Sequence, residues 1–232
     1  MSKRLIDALS DLRFKRVYMG INLESSNVML PQTWLLLQLK RLQGGRPDMA
    51  GPFSQSEEKK PPKGLVKRLL SGIKSWLLLG IRVPEEWFRQ LITWFYQWRG
   101  WNVLFDRHFT LDYYYHDMNY QDASKPLARR VHGYLLKKYY PRPDLVIFLD
   151  APAELLFQRK GEGTIESLEQ YRQDYLQLGA TLPAFDVVDA TQPVEMVVKQ
   201  ASDCIRSYAA KYAGMHGKGK PSVGANSPQQ WR

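Results

Sequence analysis

Three short apolar runs, each ending on an aspartate, constrain the fold of this 232-residue chain most strongly. Residues 102–105 lead to Asp106, residues 144–149 lead to Asp150, and residues 185–188 lead to Asp189. Short, mostly apolar runs of this kind are typical of strands buried on both faces in a parallel sheet covered by helices. Because the carboxyl ends of parallel strands line a ligand crevice, we expect the three acids to face a binding site.

Segments of helical periodicity separate these runs and complete an alternating α/β pattern. An amino-terminal helical pattern includes Leu5, Leu9, Leu12 and Phe14, and a further strand is predicted over residues 16–22. The other predicted helices cover residues 31–43, 65–80, 84–100, 120–139, 153–160, 164–178 and 193–212. This alternation predicts an α/β fold with a parallel sheet between layers of helices.

Composition indicates one globular domain with additions. We predict an α/β domain over residues 1–213, with a flexible insertion at 44–64, a helical insertion at 65–100 and a disordered basic tail at 214–232. The single Cys204 allows no internal disulfide, and charges alternate through residues 1–16, so a cytoplasmic location is expected. The net charge of +10 suits anionic ligands but equally a solvated surface.

A tryptophan-rich stripe marks the second inserted helix. Trp87, Leu91, Trp94, Trp98 and Trp101 follow helical spacing and share one face. Nearby lysines and arginines would allow this face to lie at a membrane interface or a partner surface. The favoured interpretation is that the stripe packs against the sheet.

The acid and base at residues 106–108 are the strongest local indication of chemistry. Asp106, Arg107 and His108 follow a predicted buried strand, where a charged pair costs desolvation, although an aspartate capping the next turn would explain part of the pattern. His108, Asp112 and His116 stand four residues apart, which raises a zinc site, but hydrogen-bonded surface histidines are favoured. The sequence contains neither a recognisable Ser-His-Asp set nor a specific nucleic-acid-binding pattern.

Several motifs in order resemble the thymidylate kinase family. They are the strand followed by Asp106-Arg107, the strand followed by Asp150-Ala151-Pro152, Arg159, and the turn from Asp189 to Pro193. The resemblance implies a three-layer P-loop kinase fold with a parallel sheet. It implies transfer of the γ-phosphoryl group of ATP to a nucleoside monophosphate, a dTMP-like acceptor, with Mg²⁺.

The resemblance also implies roles for individual residues. Asp106 would hold Mg²⁺ through water, and Arg107 would bind the acceptor phosphate, since a guanidinium grips phosphate with two parallel hydrogen bonds. Tyr113 and Tyr114 are candidates for stacking on the base. In the lid and on the adenine side, the implied residues are Arg159, Lys160, Gln192 and Pro193. Arg159 could instead answer a helix dipole, and Thr191 could simply cap the last helix.

The chain departs from the family pattern in three places. The tyrosine expected after the Asp-Arg pair is His108, the thymine-contacting register beyond it is missing, and Ile21-Asn22-Leu23-Glu24 replaces a Glu-Pro pair. The phosphate-binding loop is also missing. Residues 214–220 match the glycine and lysine spacing of such a loop, but Pro221 replaces the hydroxyl and lacks an amide proton.

We therefore expect that a central strand and its phosphate loop precede Ser2 in a longer reading frame. A sheet without its central strand exposes apolar edges, which makes a homodimer one expected partner arrangement. Two other interpretations stay open: a noncatalytic nucleotide-binding protein, and a peripheral membrane or assembly module built on the tryptophan-bearing helix and the basic tail. The longest apolar run, at residues 76–79, is too short to span a bilayer.

Overall fold

The computed structural model describes residues 1–20, 25–42, 65–113, 127–161 and 163–216. These residues form a mixed structure of helices and short strands. In chain order the elements are α1 (Ser2–Ala8), β1 (Phe14–Val17), α2 (Pro31–Leu42), α3 (Leu65–Trp98), β2 (Asn102–Phe105), α4 (Phe109–Asp112), α5 (Leu127–Tyr139), β3 (Val146–Asp150), α6 (Ala153–Lys160), α7 (Ile165–Gly179), β4 (Phe185–Asp189) and α8 (Val194–His216).

The strands form two parallel pairs, which confirms the α/β class. Strand β3 pairs in parallel with β4, with Val146 opposite Phe185 and Asp150 opposite Asp189. Strand β1 pairs with β2. The Asn102 amide donates to the Arg13 carbonyl and the Asp106 amide donates to the Val17 carbonyl, so both strands advance in the same direction. In the described residues, the two pairs are separate sheets.

Element boundaries agree well with the sequence in the carboxyl-terminal half and less well near the amino terminus. Strands β2, β3 and β4 and helices α2, α6 and α7 lie within two residues of their predicted positions. Helix α1 ends at Ala8, and Phe14 begins a strand, so the predicted helical assignment of Phe14 is wrong. Helix α8 continues to His216, past the predicted domain end. The predicted loop at 44–64 and most of the predicted tail lie outside the described residues.

The chain divides into two compact units that alternate along the sequence. The first unit comprises residues 1–16, 97–104 and 142–225, and the second comprises residues 17–96, 105–141 and 226–232. The chain leaves the first unit after Arg16 and again after Leu104. Each unit is described by itself below.

The first unit is built around an apolar cluster between α1 and α8. Leu5, Leu9 and Ala201 are buried at its centre. Side chains from the neighbouring strands and helices pack on the cluster: Leu12, Phe14, Leu104, Ile147, Val198 and Ile205. Burial of apolar side chains at the helical spacing of Leu5 and Leu9 explains why α1 lies here despite its short length.

Turn residues fix the connections of the first unit. Gly161 ends α6 in the left-handed conformation, with φ of 64°, which glycine adopts without steric cost. Thr164 and Ser167 then form a reciprocal capping box that starts α7. At the other end of α7, a Cβ on Gly179 would lie 2.3 Å from the Phe185 ring, so only glycine permits this approach to β4.

The second unit is dominated by α3, which was predicted as two helices. Pro84 lies inside the 34-residue helix rather than between two helices. A proline removes one backbone hydrogen bond and crowds the preceding turn. The residues just after it, Glu85, Glu86 and Arg89, are buried and bonded to other elements, and these contacts hold the second half in line with the first.

The tryptophan stripe does not pack in a core, so that predicted interpretation is wrong. Trp94 is 39% exposed, Trp98 is 84% exposed and Leu91 is 56% exposed, whereas Trp87 is half-buried. The buried face of α3 is polar instead: Glu85, Glu86, Arg89, Gln90 and Thr93 are at most 4% exposed. None of the helices that the structure describes is long and apolar enough to cross a membrane.

Candidate functional site

The second unit carries Asp106 and Arg107 where β2 ends. The Asp106 amide donates to the Val17 carbonyl at 3.0 Å, which anchors the end of β2 beside the end of β1. The Asp106 side chain is half-buried, and that of Arg107 is 39% exposed. The chain leaves the strand at this pair, so both side chains stand at the carboxyl end of a parallel sheet, where ligands of α/β proteins bind.

Arg107 has a strained backbone. Its φ is 70°, in the left-handed region, and among the described residues it is the only one other than glycine with a positive φ. An L-residue pays about 1–2 kcal/mol to adopt this conformation, and such strain concentrates at functional sites. The turn holds the guanidinium 3.9 Å from the buried carboxylate of Asp112.

Gly20 closes one side of this cluster. A Cβ there would lie 2.5 Å from the Tyr18 hydroxyl and 2.8 Å from the Asp112 carboxylate. Both side chains are almost fully buried, so they could not easily move away. A glycine is therefore required for the backbone after β1 to approach Asp112 and its partner Arg107.

Helix α3 supplies a buried ion pair that holds the same strand end. The guanidinium of Arg89 donates to the Glu85 carboxylate at 3.0 and 3.1 Å, and both side chains are at most 4% exposed. Arg89 also donates to the Gly20 carbonyl at 3.2 Å. Glu85 accepts the amide of Leu30 at 3.0 Å. The pair therefore links α3 to the end of β1 and to the start of α2.

A second buried carboxylate on α3 forms a separate network. Glu86 accepts hydrogen bonds from the Tyr140 hydroxyl at 2.8 Å and from His132 at 3.1 Å. Burial, and then the neighbouring Glu86 carboxylate, raise the pKa of Tyr140, so its hydroxyl remains a donor. The other oxygen of Glu86 is buried and has no hydrogen-bond partner in the described structure, as do the Thr33 hydroxyl and the Gln90 carbonyl oxygen.

His108 lies among aromatic rings rather than on the surface. It is 4% exposed, and its ring contacts Phe105 at 5.0 Å and Phe109 at 4.5 Å between centroids. Burial lowers the pKa of His108 from 6.5 to about 3, so the ring is neutral near pH 7. The favoured prediction of a surface histidine is wrong for this residue. His116 lies outside the described residues, and the described part of the chain contains no group of three or more possible metal ligands.

The candidate base-contacting tyrosines are only partly described. Tyr113 is 5% exposed, with the Arg82 guanidinium 4.9 Å above its ring and His132 against its edge at 4.8 Å. Arg82 covers the ring face that would stack on a base. Tyr114 lies outside the described residues.

The first unit carries the residues predicted for the lid and the adenine side. Arg159 donates to the Ala190 carbonyl at 2.9 Å, which places the end of α6 beside the turn after β4. In that turn, Asp189 accepts the amide and the hydroxyl of Thr191 and the side-chain amide of Gln192. The Thr191 hydroxyl and amide together lower the pKa of Asp189. The carboxylate of Asp189 thus orders the turn, and Pro193 precedes α8.

Asp150, the third strand-end acid, is held by an arginine. Arg172 on α7 donates to both carboxylate oxygens, at 2.6 and 2.9 Å. Hydrogen bonds from its guanidinium to Asp150 raise the pKa of Arg172. A paired, two-pronged contact of this kind is strong, so the carboxylate of Asp150 braces α7 against the end of β3.

The structure thus places Asp106, Arg107 and Tyr113 in the second unit and Arg159, Gln192 and Pro193 in the first. Lys160 ends α6. Sequence reasoning missed the polar face of α3 because the tryptophans drew attention to the opposite face. The signal was present: Glu85 and Arg89, and Glu86 and Gln90, are spaced four residues apart within an otherwise apolar and aromatic helix.

Comparison with known proteins gives one direction. No protein-family model matches the chain. The probable thymidylate kinase 1 of Saccharolobus solfataricus is 33% identical over 100 residues, which cover 40% of this chain and 51% of that protein. The chain therefore matches about half the length of this curated relative. The similarity supports a distant thymidylate kinase-like relationship, and with the mixed α/β structure it suggests a nucleotide kinase-like class of protein.

Proposed function

We propose that this chain is a nucleotide kinase-like protein of P-loop fold whose acceptor is a nucleoside monophosphate, in the first instance a dTMP-like one. The observation that carries the proposal is the left-handed Arg107 beside Asp106 at the end of a parallel strand. Strain at a single arginine is otherwise unexplained, and strained residues concentrate where a side chain must be aimed. The distant relative supports the same class.

The residues have chemically suitable roles. Arg107 binds the acceptor phosphate with its planar guanidinium, and Asp112 orients that guanidinium from behind. Asp106 offers the single carboxylate oxygen that a water-ligated Mg²⁺ needs when phosphates supply its other ligands. ATP with Mg²⁺ supplies the phosphoryl group that is transferred. In the first unit, Arg159 and Lys160 provide lid cations, while Gln192 and Pro193 lie in the turn assigned to the adenine side.

The 232 residues contain no acceptable phosphate-binding loop, so the proposal requires one from an upstream extension. Its backbone amides and lysine would hold the ATP phosphates, a function for which these residues offer no substitute. Calorimetry with MgATP tests this part directly. We expect weak binding to these 232 residues and much tighter binding to an upstream-extended chain, and equal binding by the two would contradict it.

The assignment of Arg107 is tested in the extended chain with a panel of nucleoside monophosphates. Arg107→Ala should lower the rate of transfer by at least about a hundredfold, because one charge-assisted phosphate contact is lost in the transition state. Arg107→Lys keeps the charge but not the two-pronged geometry, so it should recover only a small part. Arg4→Ala, which removes an exposed arginine paired with Glu195, is the matched control. Unchanged turnover in Arg107→Ala would refute the assignment.

A further inference from the structure

Helix α3 is inside out in the second unit. Its polar side chains are buried, while Ile73, Trp76, Leu77, Leu91 and Phe95 are each at least 46% exposed. At about 100° per residue, these five positions fall on one stripe of the helix, opposite Glu86, Arg89 and Thr93. A soluble helix normally has the reverse arrangement. The exposed stripe therefore needs an apolar partner.

Helix α2 shows the same arrangement independently. Thr33 is 2% exposed, whereas Trp34, Leu35, Leu39 and Leu42 are between 46% and 83% exposed. These four residues also share one helical face. Large apolar and aromatic side chains rarely form contiguous exposed stripes unless a partner or a membrane covers them.

The charges beside both stripes have one sign. Residues 65–84 of α3 contain four cations and no acid, and residues 31–42 of α2 contain two cations and no acid. By helical position, Lys67, Arg68 and Lys74 fall beside the exposed stripe rather than within it. An apolar face rich in tryptophan and leucine, flanked only by cations, is typical of helices that lie in the interface of an anionic membrane.

Charge also argues against a second copy as the occupant. In a twofold dimer the same patch meets itself, so these flanking cations would approach other cations. An anionic lipid surface instead complements them, at about 1 kcal/mol for each lysine or arginine near the headgroups. We infer that α2 and the first half of α3 form a docking surface for anionic phospholipid, with the helices lying in the plane of the membrane.

Flotation with lipid vesicles tests this inference on the full chain. Wild type should float with phosphatidylcholine vesicles that contain phosphatidylglycerol and stay at the bottom with pure phosphatidylcholine. Trp76→Gln with Leu77→Gln should weaken binding at least about tenfold, since each side chain loses its apolar burial. Lys67→Glu with Arg68→Glu and Lys74→Glu should weaken it by about a hundredfold or more.

The matched control changes exposed apolar residues elsewhere. Leu127→Gln with Val187→Gln alters side chains that are 60% and 51% exposed on α5 and β4, and it should bind vesicles as wild type does. Circular dichroism and thermal melting of every variant establish that it is folded. Failure of wild type to float, or equal loss in the control, would overturn the inference. So would a lipid-free dimer that Trp76→Gln with Leu77→Gln dissociates, because the stripe would then belong to a second copy.

Discussion

Two strand ends of this molecule are organised in opposite ways. In the second unit, the end of β2 combines a left-handed Arg107, a buried Asp112 and a buried Glu85–Arg89 pair. In the first unit, Arg159 and the Asp189 turn are exposed, and their polar groups bond to one another. The second unit thus holds its candidate site with costly buried charges, whereas the first holds its site with inexpensive local hydrogen bonds.

This difference indicates which end is preorganised. Buried charges lose hydration and are retained only where their partners are well placed, so the geometry around Arg107 is fixed by the surrounding structure. Exposed hydrogen bonds compete with water, so the turn around Asp189 can rearrange at little cost. A fixed acceptor end and an adjustable nucleotide end would suit a phosphoryl transfer that depends on alignment.

Removal of Glu85 should have the largest effect on stability. Glu85→Leu leaves the Arg89 guanidinium buried without its carboxylate, which should lower the free energy of unfolding by about 3–5 kcal/mol. The double change Glu85→Leu with Arg89→Met removes both charges and should recover part of that loss. Urea denaturation measures both.

The control for this experiment is the exposed pair of Arg4 and Glu195, whose side chains are 61% and 78% exposed. Glu195→Ala should change stability by less than about 1 kcal/mol, because water screens the pair. If Glu85→Leu were no worse than Glu195→Ala, the contrast between buried and exposed charges would fail.

Acidification should weaken the second unit through His108. The pKa of His108 is about 3 in the folded protein and 6.5 ordinarily, so the unfolded chain binds the proton first. The contribution of His108 is complete above pH 6.5 and is lost as the pH falls. Between pH 7 and 5 the expected loss is about 2 kcal/mol. Denaturation curves at several pH values, compared with His108→Gln, isolate this residue from His132. Parallel pH profiles for the two proteins would contradict the assignment.

The smallest effect is expected at the exposed turn of the first unit. Asp189→Ala removes the acceptor of the Thr191 amide, so hydrogen exchange at that amide should accelerate while overall stability changes little. Asp189→Asn retains one acceptor oxygen and should give intermediate protection. Unchanged exchange in Asp189→Ala would mean that the turn does not depend on the carboxylate, and the proposed adjustable end would lose its basis.

Much of the fold could be predicted because local patterns agreed with tertiary packing. The apolar runs ending at Asp106, Asp150 and Asp189 became β2, β3 and β4, with β3 and β4 parallel as expected. The prediction failed where Pro84 suggested a break in a helix and where Phe14 continued a helical spacing. In both places tertiary contacts outweighed a local preference that is worth only a few kcal/mol.

The site was only partly predictable for the same reason. Asp106 and Arg107 could be chosen because they follow a strand, but the φ of Arg107 and its approach to Asp112 depend on residues far along the chain. The roles of Arg107, Arg159, Gln192 and Pro193 stay predictions. The polar face of α3 was overlooked because glutamate and arginine at helical spacing look the same whether they face solvent or a core.

The sequence by itself determined the alternation of strands and helices, the acids at the strand ends and the positive charge of α2 and α3. These features follow from side-chain chemistry and from the periods of helix and strand. Only the tertiary structure decided which face of α3 is buried and that Arg107 is strained. Burial is a property of the whole packed chain, and a helix with one polar and one aromatic face can be turned either way until its neighbours fix it.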